Sequence, residues 1–178
     1  MTEHAAVRSL SVQEARKSIH ALSAVLIDCV EGGDSVGFMA PLAREKADAF
    51  WWGVTEGVEA GERILLAAEN LASGAIVGTV QVVLGQPENQ PHRADVAKTL
   101  VHRRARKRGL GAALMRAAED AARAAGKTLL VLDTASSDAE RLYERLGWTR
   151  VGPVPGYALL PDGHPCDTTI FYKPIAKG

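Results

Sequence analysis

Arg106-Lys107-Arg108-Gly109-Leu110-Gly111 is the stretch whose reading decides the fold. Upstream of it, residues 94–101 read as a strand that ends in Thr99-Leu100-Val101. Downstream, residues 109–125 place Leu110, Leu114, Ala117, Ala118 and Ala121 on one helical stripe, and Gly126 supplies a stop. A short basic loop therefore carries a strand into a helix. The first turn of a helix presents N–H groups with no intrahelical acceptor, and the aligned peptide dipoles add about half a positive charge there. Glycines at 109 and 111 allow the backbone of the Leu110–Ala112 turn to approach an anion closely, while Arg106, Lys107 and Arg108 raise the local potential. The ligand such a loop favours is a diphosphate.

Two other phosphate loops fit less well. A Walker loop requires Gly-Lys-Ser/Thr after the glycines, and a dinucleotide fingerprint requires a third glycine; neither is present. As a bare charge run, His102-Arg103-Arg104-Ala105-Arg106-Lys107-Arg108 reads as a solvated loop or a nucleic-acid patch. Its position between a strand and a helix favours the phosphate reading instead. The loop also lacks the interleaved aromatics that stack on bases, so no nucleic-acid partner is expected.

The rest of the chain supports one domain spanning residues 1–178. Hydrophobic residues make up 47% and charged residues 24%, with 21 Lys+Arg balancing 21 Asp+Glu. This balance gives no electrostatic pull toward nucleic acid or an acidic membrane. No apolar run is long enough to span a bilayer and Met1-Thr2-Glu3-His4 does not open a signal sequence, so a cytoplasmic location is expected. Cys29 and Cys166 have no metal-ligand spacing and the five histidines are scattered, so no metal is expected.

Helices are expected over 11–30 and 41–60, the second with Pro41 in its first turn, joined by a glycine-rich loop at 31–40. Strands over 63–69 and 75–85 form a hairpin, and the proline-bearing segment 86–92 is a loop. The apolar run 128–134 reads as a buried strand. Ser137-Asp138-Ala139-Glu140 has the form of a capping box, and the helix it opens ends at Gly147. Strands over 149–160 and 168–175, joined by Pro161-Asp162-Gly163, close the chain.

Arg106-x-x-Gly109-x-Gly111 resembles the Gln/Arg-x-x-Gly-x-Gly/Ala signature of the GNAT family of N-acetyltransferases. Ala139-x-x-Leu142-Tyr143-x-x-x-Gly147-Trp148 matches that family's second block, in the right order. The resemblance implies an α+β fold: a mixed, mostly antiparallel central sheet with splayed parallel strands, flanked by helices. It implies acetyl-CoA as cofactor, held by Thr99, Leu100, Val101, the loop Arg106 to Ala112, Ser136 and Tyr143. Ser136 stands where many family members have an asparagine that hydrogen-bonds the cofactor.

Segments Gly32–Met39 and Arg150–Tyr157 resemble those of tabtoxin resistance proteins, which implies acetylation of an amine on a small, amino-acid-like molecule. The family chemistry is direct attack of a neutral amine on the thioester, calling for a base near the amine and an acid near the departing thiolate. Tyr143 is the expected acid, and Asp95 or Asp133 the base and the anchor for an ammonium substrate. Phe38 and Tyr157 are expected to wall the acceptor pocket, although ordinary aromatic packing also accounts for both. Neither cysteine lies in a basic setting, so an acetyl-cysteine route is not expected. Of the adjacent Trp51 and Trp52, only one can be buried, and the other is available to a partner subunit in a protein that is a monomer or a homodimer. A non-catalytic acetyl-CoA sensor and a protein or peptide acetyltransferase stand as alternatives.

Overall fold

The computed structural model describes residues 5–176. Strand β1 (Ala5–Ser9) is followed by helices α1 (Val12–Lys17), α2 (Ile19–Glu31) and α3 (Arg44–Glu59). The hairpin β2 (Arg63–Asn70) and β3 (Ile76–Val83) leads to β4 (Arg93–Val101), a 3-10 turn at Arg103–Ala105 and helix α4 (Leu110–Ala124). Strand β5 (Leu129–Thr134), helix α5 (Ser137–Arg145), β6 (Thr149–Leu159) and β7 (Pro165–Pro174) complete the chain. One seven-stranded sheet runs in the order β1-β2-β3-β4-β5-β7-β6. Every neighbouring pair is antiparallel except β4 with β5.

The centre of the sheet is buried on both faces, as the near-continuous apolar reading of β2 and β3 requires. Helix α4 lays Leu110, Leu114, Met115, Ala118 and Ala122 on one face, against Val80, Val82, Ala94 and Val96. The other face is covered by α1, α2 and α3, with Leu22, Leu26, Cys29 and Trp51 over Leu65, Ala67 and Leu100. Trp51 is fully buried and Trp52 is exposed, which resolves the adjacent pair.

Four local features differ from the sequence reading. Strand β1 was not anticipated: five residues with only alternate, partial burial make a weak period-2 signal, and the strand is held as an edge by pairing to β2 and by Arg8 bonding Glu69. The expected helix over 11–30 is two helices, interrupted at Ser18. A capping box at Ser11 and Glu14 starts the first of them, while the buried stripe Ile19, Leu22, Val25, Leu26 belongs to the second. Helix α3 starts at Arg44 with Ala43 as its cap, so Pro41, in a cis peptide after Ala40, lies outside it. Finally, Ser136 rather than Ser137 caps α5, accepting from the Ala139 amide at 3.3 Å. Adjacent serines made the two indistinguishable in sequence. Glu140 is drawn away from the cap to Thr169 Oγ1 (2.8 Å) and Arg150 Nε (3.3 Å).

Two irregularities shape the functional end of the sheet. β4 and β5 stay in parallel register only from Arg93↔Leu129 to Asp95↔Val131. Beyond that point β4 carries one extra residue against β3: Gln81 faces Ala97, but Thr79 faces Leu100. This bulge holds Lys98 at φ 52. It inverts the facing of the strand, since Val96 packs beneath α4 whereas Leu100, of the same parity, packs beneath α2 and α3.

Candidate active site

Where β4 and β5 part, a cleft of about 310 Å³ opens between residues 96–100 of one strand and 132–135 of the other. Ser35, Val36 and Gly37 cover it on one side; Tyr143, Tyr157 and Asp167 complete the wall. The covering loop is tied down at three points. Asp34 receives the Arg106 guanidinium, Ser35 Oγ meets Cys166 Sγ at 3.5 Å, and the Ala40 amide donates to Pro161 O at 3.0 Å.

Of the residues singled out in sequence, Thr99, Leu100, Asp133, Tyr143 and Tyr157 line this one cleft. Tyr143 is buried, with its ring against Phe171 (5.7 Å between centroids) and Trp148 (6.1 Å). Burial pushes its hydroxyl up to about 12; the negative charge of Asp133 works in the same direction, opposed by a hydrogen bond with Thr99. The phenol is therefore protonated throughout the neutral range. Asp133 is exposed to the cleft and accepts from Thr168 Oγ1 at 2.7 Å. Asp95 does not line the cleft. It sits where β4 and β5 are still paired, and its carboxylate accepts from Arg93 and from Gln86 Nε2. Phe38 is likewise outside the lining, packed edge-on against Phe50 at 5.3 Å.

The loop before α4 has the features expected of a phosphate cradle. Ala113 is the first residue to bond within the helix, to Gly109 O at 3.1 Å. Among the described residues, the amides of residues 107–112 donate to no other group of the protein. Six consecutive unpaired N–H groups at a helix start form a ready nest for phosphate oxygens. Gly109 reaches this shape through a left-handed backbone, φ 77, as does Lys107 at φ 61. Gly111 serves a different purpose from the one read in sequence: a Cβ there would meet Leu142 Cδ2 at 3.1 Å, so its smallness lets α4 and α5 approach.

Arg106 turns inward, bonding Asp34, the Val101 carbonyl (2.9 Å) and Cys29 Sγ (3.6 Å). Arg103 pairs with Asp28 at 2.9 Å. Much of the basic run is thus neutralised within the fold, leaving Arg104, Lys107 and Arg108 exposed. Burial, reinforced by Asp34, pushes the Cys29 thiol up to about 11, which leaves no thiolate for an acetyl-cysteine route at that residue. No group of three or more metal-ligating side chains occurs among the described residues. No helix among them is long and apolar enough to cross a membrane.

One face-inverting residue was missed in sequence. Lys98 lines the cleft from the centre of the β4 bulge, in a place where strand alternation would have put it under α4. Asp167 and Thr168 on β7 were missed as well, because a strand that folds back from the C-terminus carries no local sign of what it faces.

The model of the acetyltransferase (GNAT) family matches residues 24–148, a span that holds the β4–α4 loop and the α5 block. The chain belongs to the GNAT acetyltransferase family. Membership makes it an acyltransferase that draws its acetyl group from acetyl-CoA. It is 36% identical over 117 residues to an uncharacterised N-acetyltransferase from the hisH-hisA intergenic region of Azospirillum brasilense, covering 65% of this chain and 67% of that one. Among solved structures, a phosphinothricin acetyltransferase from Sinorhizobium meliloti in complex with acetyl-CoA superposes with a TM-score of 0.78 at 18% identity, over 100% of this chain and 91% of that one. An acetyltransferase from Salmonella typhimurium with acetyl-CoA superposes at 0.76 with 16% identity, over 99% and 96%. At these identities the superpositions establish the shared fold.

Proposed function

We propose that this GNAT protein transfers the acetyl group of acetyl-CoA to the primary amine of a small molecule, by direct attack within a ternary complex. The observation that carries the reading is the cleft at the β4–β5 splay. It is small, it is covered by the tethered 35–37 loop, and it brings a protonated phenol and the Asp133 carboxylate, which has no salt-bridge partner among the described residues, to the same space. A covered cleft of this size suits a compact acceptor better than an extended peptide.

The amide nest of residues 107–112, with Arg108 and Lys107 around it, would hold the pyrophosphate, and Ser136, the cap of α5, would add a hydroxyl contact to the cofactor. The pantetheine arm would run along the strand edges freed where β4 and β5 separate, at Thr99 to Val101. The Val101 carbonyl is already held by Arg106, so pairing there falls to the remaining groups of that segment.

The acceptor arrives as an ammonium and attacks as an amine, so a proton must leave it first. Asp133 is the carboxylate placed to attract the ammonium and accept that proton, directly or through water; Asp95, tied to Arg93 and Gln86 outside the cleft, is second to it. As the C–S bond breaks, Tyr143 donates to the departing thiolate, a role that its protonated state at neutral pH suits, and the second proton shed by the acylated nitrogen restores the phenol through water. Tyr157, half out in solvent, borders the acceptor, whereas Phe38 packs against Phe50 outside the lining. The acceptor class fits an amino-acid-like amine, as the resemblance to tabtoxin resistance proteins implies, and a role in toxin resistance follows if that amine is a toxin.

Thiol release from acetyl-CoA across simple amines, amino acids, β-lactam amino acids and peptides tests this reading. Turnover on small amines that exceeds turnover on peptides supports it. Turnover confined to peptides, or binding of acetyl-CoA with no turnover on any amine, overturns it.

A further inference from the structure

The cleft contains a cation that the acetyl-transfer chemistry does not use. Lys98 is held by the β4 bulge in a left-handed conformation that a side chain other than glycine rarely adopts, and its carbonyl is fixed by Thr79 Oγ1 at 3.2 Å. Its ammonium lies beneath the covering loop, within 3.4 Å of the place where a Cβ on Gly37 would stand, and 5.9 Å from the Phe50 ring centre. Among the described residues, Lys98 Nζ makes neither a salt bridge nor a hydrogen bond.

A largely desolvated lysine without a carboxylate partner is costly, and burial pulls this one below its ordinary value. The charges that act on it are Asp133, which favours the cation, and Arg63, which opposes it. Asp133 lines the other strand of the same cleft, yet the two form no ion pair within 4 Å. One carboxylate oxygen of Asp133 is taken by Thr168; among the described residues, the other is bonded to no group. A second carboxylate, Asp167, also lines the cleft and accepts from the Gly156 amide at 2.8 Å. Among the described residues, Lys98 is thus the one cationic side chain in the lining, set against two carboxylates with which it makes no salt bridge, around a space that has to hold the acceptor.

We propose that Lys98 binds the carboxylate of the acceptor, so that the acceptor is an α-amino-acid-like zwitterion whose ammonium faces Asp133. This assignment rests on the small-amine reading above and narrows it. It also accounts for the bulge. A regular strand would send residue 98 to the α4 face, and the extra residue turns it to the face of α3 and the covering loop. An ammonium without a carboxylate at the same place would satisfy Asp133 and leave the half-buried Lys98 without a partner.

The test uses the full chain and matched acceptors: the proteinogenic α-amino acids, each set against its carboxamide and its decarboxylated amine, with kcat and KM measured for the native protein, Lys98→Met and Lys98→Arg. Loss of one charge-assisted contact corresponds to about 10–100-fold. The native protein is expected to favour at least one free acid over its matched amide and amine by that factor in kcat/KM. In Lys98→Met the preference collapses through KM while kcat changes little, and Lys98→Arg restores part of it. Thermal melting and acetyl-CoA binding of both variants confirm that they fold. Equal use of acid and decarboxylated amine by the native protein overturns the assignment while leaving the small-amine reading intact. So does a fall in kcat alone in Lys98→Met, which would make the lysine a proton carrier. Failure on every amine sinks the small-amine reading itself.

Discussion

Replacing Tyr143 with phenylalanine separates chemistry from packing at the centre of the site. The ring is wedged against Phe171 and Trp148, and phenylalanine preserves both contacts. Only the hydroxyl is lost. Its value near 12, against an ordinary 10, corresponds to about 3 kcal/mol in favour of the neutral form, so at pH 8 the group is fully protonated and available as an acid. Removing a positioned general acid lowers the rate about 10²–10⁴-fold, or roughly 3–5 kcal/mol of barrier. Stability should change by about 1 kcal/mol or less, which in a chain of this size moves the melting temperature by only about 2–4 °C.

The assay is thiol release at saturating acetyl-CoA, followed from pH 6 to 10.5 for both proteins. The protonated form is the active one and its value is raised, so this group's contribution is complete below pH 10 and is lost only as pH climbs through about 12. Tyr143→Phe should therefore lower kcat by a nearly constant factor across the range, with acetyl-CoA binding retained. A variant that keeps kcat within threefold of the native value, or a native alkaline limb near pH 9 that disappears in the variant, would refute the reasoning.

Gly109→Val forces a β-branched residue into the left-handed backbone at φ 77, with a cost of about 1–2 kcal/mol that falls on the amide nest; acetyl-CoA binding measured by calorimetry should weaken about 5–30-fold. Gly78→Ala places a Cβ 3.0 Å from the Leu100 carbonyl oxygen and 3.1 Å from Leu114 Cδ1, and should lower stability in a denaturant titration by about 1–3 kcal/mol because neither strand nor helix can retreat freely. Glu119→Ala strips the acceptor from both Trp148 Nε1 (2.9 Å) and Lys173 Nζ (2.8 Å), and the lysine left behind should cost about 3–5 kcal/mol, read as a melting temperature lower by about 10 °C. Asp95→Asn should leave kcat within a few-fold of native whereas Asp133→Asn lowers it about 10²-fold or more; the reverse result would transfer the base to Asp95.

The sequence alone determined the β4–loop–α4 unit, the α5 block and the β2–β3 hairpin, because each rests on signals confined to a few neighbouring residues: helical period, glycine placement, a strand of apolar residues. The family was legible for the same reason. Helix ends were less so, since Ser136 and Ser137 offer the same cap chemistry and only the path of β5 into α5 selects between them.

The candidate site divides along the same line. Asp95 and Asp133 are both strand-borne carboxylates in sequence; what places one in the cleft and the other outside it is the residue pair at which β4 and β5 stop bonding, Asp95 with Val131. Lys98 reads as one more residue of an alternating strand until the bulge against β3 turns it over. Asp167 and Thr168 reach the site because β7 inserts between β5 and β6. Local chemistry fixed which residues could act; strand register, set by contacts between segments far apart in the chain, decided which of them share one space.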